Sequence, residues 1–349
     1  MKIPQNNLIV YGVKHPYRIR EIAAQSGLSE ATVDRVLHDR PGVRPSTIRE
    51  VHQAIADLNR QQTQVRLAGR PFMIDVIVQA PPRFSAAIRA ALEAELPALR
   101  PAVIRARFHL LDGPSAQDVV AALDRVTRTR SHGVILKAPD VPDIVAAARR
   151  VPTPLVTLVT DLPTTPRITY AGLDNRAAGA TAAYLIQQWL GPRSGDVLVV
   201  RGHGESRGES ERSAGFVAEI AGARRLIEVV DASDSPVADG IRRVLATSPA
   251  VRAVYSMYAG PGGNAAVVDA FATVARRYDV FVAHDLDEEN TALLRARKLS
   301  AVLHHDLRTD LRRACRALMQ AGGLVPGPIR TNPSAVQVIT PHNAPPVEF

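Results

Sequence analysis

The 349-residue sequence holds one cysteine and one tryptophan, and aromatic residues make up only 4% of it. A lone Cys315 excludes an internal disulfide. Its place in the helical run LRRACRALMQ reads as a buried small residue rather than a nucleophile. Few aromatic rings leave Leu, Val, Ile and Ala to fill the interior, and 46% hydrophobic residues suffice for a sizeable core. No run approaches the roughly 18 apolar residues that a bilayer-spanning helix needs. The opening MKIPQNNLIVYGVKHPYR has no apolar segment followed by a small-residue cleavage site, so no secretory signal is read. A soluble, cytoplasmic chain without membrane association is the expectation.

The usual signatures of reaction chemistry are also missing. RGHGESRG (201–208) follows a strand pattern and is glycine-rich, yet it lacks the Gly-x-Gly-x-x-Gly spacing that cradles a dinucleotide. No Lys-Ser/Thr phosphate loop occurs. His304-His305-Asp306 and His284-Asp285 have no helical His-x-x-x-His or cysteine pair beside them to complete a metal site. No Gly-x-Ser-x-Gly turn presents a nucleophile. Hence no catalytic residue, metal or cofactor is expected, and the chain does not read as an enzyme.

What is present is a positive charge of +9, unevenly spread. Residues 1–70 carry 11 Lys/Arg against 6 Asp/Glu, a surplus of five in a fifth of the chain. Residues 71–349 carry 32 against 28, a surplus of four. A basic segment on a nearly balanced body points to a polyanion partner for the segment alone.

Three helices are expected between 18 and 58. RIREIAAQSG places Ile19, Ile22 and Ala23 on one face and stops at Gly27. In SEATVDRVLH, Ser29 is a suitable N-cap, Glu30 favours the first turn, and Val33, Val36 and Leu37 form an inward face. PSTIREVHQAIADL begins with Pro45 at the first helical position and carries the stripe Ile48, Val51, Ile55 and Leu58. Helix, tight turn and second short helix make a helix-turn-helix, whose second helix enters the major groove. Its outward side chains are then Glu30, Ala31, Thr32, Asp34, Arg35 and His38. Arg35 can donate twice to guanine O6 and N7, whereas Ala31 and the Thr32 methyl suit a thymine methyl. Ser29, Arg18 and Arg44 flank these positions as further contacts. The rival reading of Arg35 is a surface pair with Asp34 or Asp39, an interaction of little worth.

NRQQTQVRLAGR (59–70) is polar and weakly patterned, a linker. From Pro71 onward about ten strand-like runs alternate with helical ones, which implies parallel sheets covered on both faces. Domains are therefore placed at 1–58, 59–70 and 71–349: an arm with a helical DNA-binding head, a linker or atypical hinge, and a body of two doubly wound α/β lobes. In such sheets ligands sit outside the carboxyl ends of the strands. Candidates at those ends are Arg83 and Phe84 (QAPPRF), Lys137 and Asp140 (KAPD), Asp161 (TDLP), Tyr258 (SMYAGPGGN), Asp285 (VAHDLD) and His305 (VLHHD). Arg212 (ERSAGF) joins them. Asp174 is better read as a turn residue. Sugars and polyols need an aromatic face and bidentate charged partners, and Phe84, Arg212, Tyr258 and Asp285 supply that set.

IREIAAQSGLSEATVDRVLHDRPGVRPSTIREVHQAIADLN resembles the DNA-binding segment of the lactose-repressor (LacI/GalR) family. The pattern VAxxAGVSxxTVSRVLN is matched at Ile22, Ala23, Gly27, Leu28, Ser29, Thr32, Val33, Arg35, Val36 and Leu37. The order of the remaining chain resembles that family's periplasmic-binding-protein-like effector domain. Arg212 to Phe216 (RxxGF) and Asp285 are similar to residues of periplasmic sugar-binding proteins. Asp34 stands where the family usually has serine, and Arg44 replaces a usual N-cap serine. The family's hinge helix, which wedges a leucine into the minor groove, is shorter here and lacks its proline, with Leu67 as the wedge candidate. The resemblance implies a transcriptional regulator, a repressor, acting as a homodimer or a tetramer built from it on a near-palindromic double-stranded operator. A sugar or polyol effector would bind between the lobes. The alternative is an intracellular sugar-binding protein or sugar-modifying enzyme with an idle head.

Overall fold

The computed structural model describes residues 17–61, 71–113, 115–202, 207–231, 236–257 and 262–345. Three helices open it: α1 (Ile19–Ser26), α2 (Glu30–Leu37) and α3 (Pro45–Arg60). Gly27 ends α1 at φ 73°, in the left-handed region that glycine enters without a Cβ clash. Ser29 Oγ accepts the Thr32 amide at 3.1 Å and caps α2. Ile22, Val33, Val51, Ile55 and Leu58 close a small core of their own. Ile48, expected on the same stripe, is instead 37% exposed, because the buried face of α3 begins a turn later at Val51. The expected linker also starts too early: α3 continues through Asn59 and Arg60, and Gln61 is buried against the body.

The body contains two sheets. The first has the order β2-β1-β3-β4-β5, all parallel, from β1 (Pro71–Gln79), β2 (Val103–Leu111), β3 (Gly133–Lys137), β4 (Leu155–Leu158) and β5 (Thr169–Ala171). The second has the order β11-β10-β9-β8-β6-β7, from β6 (Asp196–Arg201), β7 (Leu226–Val230), β8 (Val251–Ser256), β9 (Val280–His284), β10 (Ala301–His304) and β11 (Gln337–Ile339). Only β11 runs antiparallel. Three residues long, it carries too little pattern to be anticipated, whereas the other ten strands coincide with the apolar runs.

The connecting helices are α4 (Pro82–Glu95), α5 (Ala116–Thr127), α6 (Pro142–Arg149), α7 (Asn175–Leu190), α8 (Arg207–Ile220), α9 (Val237–Thr247), α10 (Gly263–Thr273), α11 (Glu288–Arg295) and α12 (Leu307–Ala321). They cover both sheet faces, which is why β1 is buried along seven consecutive residues rather than alternately. The chain passes between lobes three times. It leaves the first lobe after β5, and it returns after β10 so that Leu311, Cys315 and Leu318 of α12 pack on Ile74 and Leu92. It then goes back to form β11. Burial pushes the Cys315 thiol up to about 12, which makes it inert as a nucleophile at neutral pH.

One carboxylate inside the first lobe matters for acid stability. Asp75 on β1 is buried, which by itself would raise its pKa. The His109 hydrogen bond and the Arg107 charge outweigh that and bring it to about 2. Arg107 binds it at 3.0 and 2.6 Å and His109 at 2.8 Å. A carboxyl held below its unfolded value adds stability that is complete above pH ~4 and lost as pH falls towards 2. Asp75→Asn is expected to lower the urea midpoint at pH 7 by the equivalent of about 2 kcal/mol and to flatten its decline between pH 4 and 2. Parallel acid limbs in the two proteins would count against this role.

Candidate effector cleft and nucleic-acid interface

Strand ends from both sheets meet at a cavity of about 180 Å³ between the lobes. From the first lobe come Pro81, Arg83, Phe84, Lys137, Val159 and Thr160; from the second, Glu209, Arg212, Met257, Asp285, Asp287 and His304. The lining follows the carboxyl ends of β1, β3, β4, β8, β9 and β10, where parallel sheets open to ligands. Among the described residues, ion pairs of Arg83 with Asp287 at 3.0 Å and of Arg207 with Asp140 at 3.6 Å bridge the lobes.

Arg212 is delivered by a close helix crossing. A Cβ on Gly179 would lie 1.9 Å from the Arg212 carbonyl oxygen, and one on Gly215 1.9 Å from that of Arg176, so α7 and α8 can touch only without side chains there. The guanidinium donates to Asn175 Oδ1 at 2.8 Å and contacts His305 Nε2 at 2.8 Å. Burial and the neighbouring Arg212 charge hold His305 down at about 3, so the ring is neutral and accepts that bond.

Asp285 sits at φ 63°, a left-handed conformation uncommon outside glycine, and its amide bonds to Leu303 O at 2.9 Å. Val159, across the cleft, has the same φ of 63°, which is rarer still for a β-branched residue. Its carbonyl is held by Tyr170 at 2.9 Å and Asn175 at 3.2 Å. Two strained residues thus face one cavity. Burial alone would raise the Asp285 pKa, but Arg212 and the surrounding histidines lower it, so the group is a carboxylate. Its Oδ1 is buried without a hydrogen-bond partner among the described residues. Lys137 donates to Gln79 O at 3.1 Å and stands 5.5 Å from the Phe84 ring centroid. Desolvation, partly offset by Asp285, lowers its pKa to about 8. Burial raises Glu209.

The cavity thus gathers Arg83, Phe84, Lys137, Arg212 and Asp285 of the expected set. It does not gather all of them. The Asp161 carboxylate is turned away to Thr157 and to Arg167, which reaches it at 2.6 Å. Asp140 is engaged at the rim with Arg207, and His305 lies behind Arg212 rather than on the wall. Asp174 caps α7 through the Ala177 amide at 2.9 Å, as a turn residue would. Tyr258 and Leu67 lie outside the described residues. Glu209, Asp287 and His304 were not anticipated. His304 could have been: it is the last residue of β10, and successive side chains along an extended chain face opposite ways, so His304 and the following His305 cannot both point alike.

On the head, Ala31, Arg35 and His38 are exposed and Thr32 and Asp34 half-exposed, while Val33 and Val36 face inward. Asp34 pairs with His38 and with Arg40, both at 3.0 Å, and leaves Arg35 projecting. Arg44 precedes α3 without a side-chain cap bond, and Arg18 precedes α1, whose Glu21 accepts the Arg18 amide at 2.8 Å.

Residues 18–61 match the bacterial regulatory proteins of the lacI family, and residues 56–323, more than half of the chain, match the periplasmic binding protein domain. The chain belongs to the periplasmic binding protein domain family and carries a LacI-family head. It is a DNA-binding regulator with a sugar-type effector domain. Solved structures share its fold. GanP, a glucose-galactose binding protein from Geobacillus stearothermophilus, has a TM-score of 0.68 at 16% identity, covering 79% of this chain and all (100%) of that one. A protein from Bacteroides fragilis described as a LacI transcriptional regulator gives 0.67 at 14%, covering 78% and 98%. A carbohydrate transporter from Acidothermus cellulolyticus in complex with myo-inositol gives 0.67 at 15%, covering 79% and 96%. No curated protein matches the chain in sequence. Among the described residues no helix of this LacI-type regulator is long and apolar enough to cross a membrane, and no group of three or more His, Cys, Asp or Glu could hold a metal ion.

Proposed function

We propose that this regulator is a cytoplasmic homodimeric repressor, without enzymatic turnover, that releases or engages a near-palindromic operator as a neutral sugar or polyol fills the interlobe cleft. Thr32, Arg35, Ala31 and His38 read base edges. Arg18, Ser29 and Arg44 contact the backbone, and Asp34 steadies the helix end through His38 and Arg40. In the cleft Phe84 packs on the C–H face of the ring, Arg212 and Asp285 take adjacent hydroxyls, and Lys137 and Arg83 border the site. The observation that carries this reading is Asp285 in the cavity wall: its carboxylate Oδ1 makes no hydrogen bond among the described residues and lies 3.6 Å from the neutral His305 ring, an acceptor left unmade costs about 1–3 kcal/mol, and a ligand hydroxyl donating to this carboxylate relieves it. Binding can shift the DNA equilibrium only by the difference in its affinity for the open and closed lobes.

The test is gel-shift of a duplex selected from a random pool, at two salt concentrations. Tight sequence-selective binding that weakens steeply with salt is expected, since six to ten phosphate contacts lose on the order of 10³–10⁵ in affinity between 50 and 200 mM. Turnover of a sugar with no duplex selected would favour the enzyme reading instead.

A further inference from the structure

The head contains three buried polar residues that its own core does not explain: Gln25, Asp57 and Gln61, each 3% exposed. A three-helix head on a free tether would keep such groups in water. Here they are buried because the head sits on the first lobe, Gln25 and Gln61 against β2, the edge strand of the first sheet, and Asp57 against α4. An edge strand presents unpaired backbone groups that proteins cover. Gln61 covers them as a neighbouring strand would: its Nε2 donates to Ala106 O at 3.0 Å and its Oε1 accepts the Ala106 amide at 3.1 Å. Gln25 adds a second donor to the same carbonyl at 2.7 Å.

The contact is charged as well as polar. Arg107, already fixed by Asp75, donates to Ala24 O at 3.1 Å, and Arg105 reaches Glu21 at 3.2 Å. From α4 the Arg89 guanidinium binds Asp57 at 2.7 Å, and Glu93 accepts from Arg60 at 3.1 Å. All these head residues lie on α1, α3 or directly after it, and α2 keeps its reading side chains outward. The same helix α4 begins at the cleft with Arg83 and Phe84, about 15 Å along its axis from Glu93 at 1.5 Å per residue.

We propose that the head is not merely tethered but docked on the β2 edge with its reading face free, and that α4 is a rigid link between the effector cleft and the DNA-reading helices. The link joins the head to the body through residues 21–61, independently of residues 62–70. Lobe closure acts on Arg83 through Asp287, and any tilt of α4 is felt by α3 through Arg89 and Glu93. The docking stands on geometry alone, whereas the transmission rests on the DNA-regulator reading above.

Hydrogen exchange on the full-length protein tests both. In the variant Gln61→Ala/Arg89→Ala, amides of α3 and β2 are expected to exchange on the order of tenfold or more faster than in wild type, with β8 and β9 unchanged. Equal rates in both proteins would overturn the docking. If β8 and β9 also accelerate, the fold as a whole has loosened, and the milder Glu93→Gln decides by the same comparison. Addition of the selected operator duplex is expected to change exchange over residues 82–95 in wild type and not in Arg89→Ala. No change in wild type would overturn the transmission. A failure to bind any duplex would remove the regulator reading and the transmission with it, while the DNA-free comparison still decides the docking.

Discussion

Arg35→Ala is expected to weaken operator binding by roughly 1–3 kcal/mol per half-site, about 5- to 150-fold, with the loss concentrated at one base pair. Arg35 is exposed on α2 and its neighbour Asp34 is already satisfied by His38 and Arg40, so truncation leaves the head's core intact. Stability should therefore move by no more than ~0.5 kcal/mol, as for ordinary surface changes. Arg35→Lys should lose most of the discrimination too, because an ammonium cannot make the two parallel bonds of a guanidinium. The measurement is equilibrium binding to the selected operator and to its single-base variants. An affinity loss equal across all variants would mean that Arg35 touches only phosphate, and would move the base-reading role elsewhere on α2.

The head was legible because short-range rules decide it. Gly27, Ser29 and Pro45 each fix a helix end by their own backbone or side-chain chemistry, and the apolar spacing of Val33, Val36, Val51 and Ile55 sets which side faces in. What it sits on was not legible. Nothing in RQQTQ distinguishes Gln61 from its neighbours, since a glutamine becomes a strand-like cap only when an edge such as Ala106 lies opposite. That is a fact of tertiary placement, 45 residues away in sequence. The same separation hides Asp57, which reads as a solvated helix residue until Arg89 is folded against it.

In the body, strands could be read because burial on both faces makes them continuous apolar runs, and strand ends could be read because parallel sheets leave them open. Reading which strand-end residue turns into the cleft was harder. Asp161 and Asp285 both follow strands and both are acidic. One is captured locally by Thr157 and Arg167, four and six residues from it in sequence. The other is held at positive φ with its side chain inside the cavity. Backbone strain of that kind leaves no mark in an aspartate's identity. His305 shows the complementary limit: its partner Arg212 lies 93 residues away, and only that contact turns the ring from the wall to a support behind it.

Those two aspartates give the sharpest contrast available for the effector site. A sugar or polyol that fills the cleft at 100 times its dissociation constant stabilises the protein by about 2.7 kcal/mol, a rise of several degrees in Tm for a body of this size. Asp285→Asn removes a charged acceptor, and a hydrogen bond to a charged group is worth about 1.5–3 kcal/mol, or roughly 10- to 100-fold in affinity. At the upper end the same ligand concentration then equals the new dissociation constant, and the stabilisation falls to about 0.4 kcal/mol, too small to move the melting curve visibly. Asparagine keeps the shape at φ 63° and tolerates that conformation better than most residues, so the ligand-free fold should survive the change. Asp161→Asn breaks the contacts to Thr157 and Arg167 outside the cleft and should leave the ligand-dependent shift in place. A thermal-shift screen of sugars, polyols and sugar acids on wild type, followed by its best ligand on both variants, decides the matter. A shift retained in Asp285→Asn but lost in Asp161→Asn would place the effector outside the cavity between the lobes.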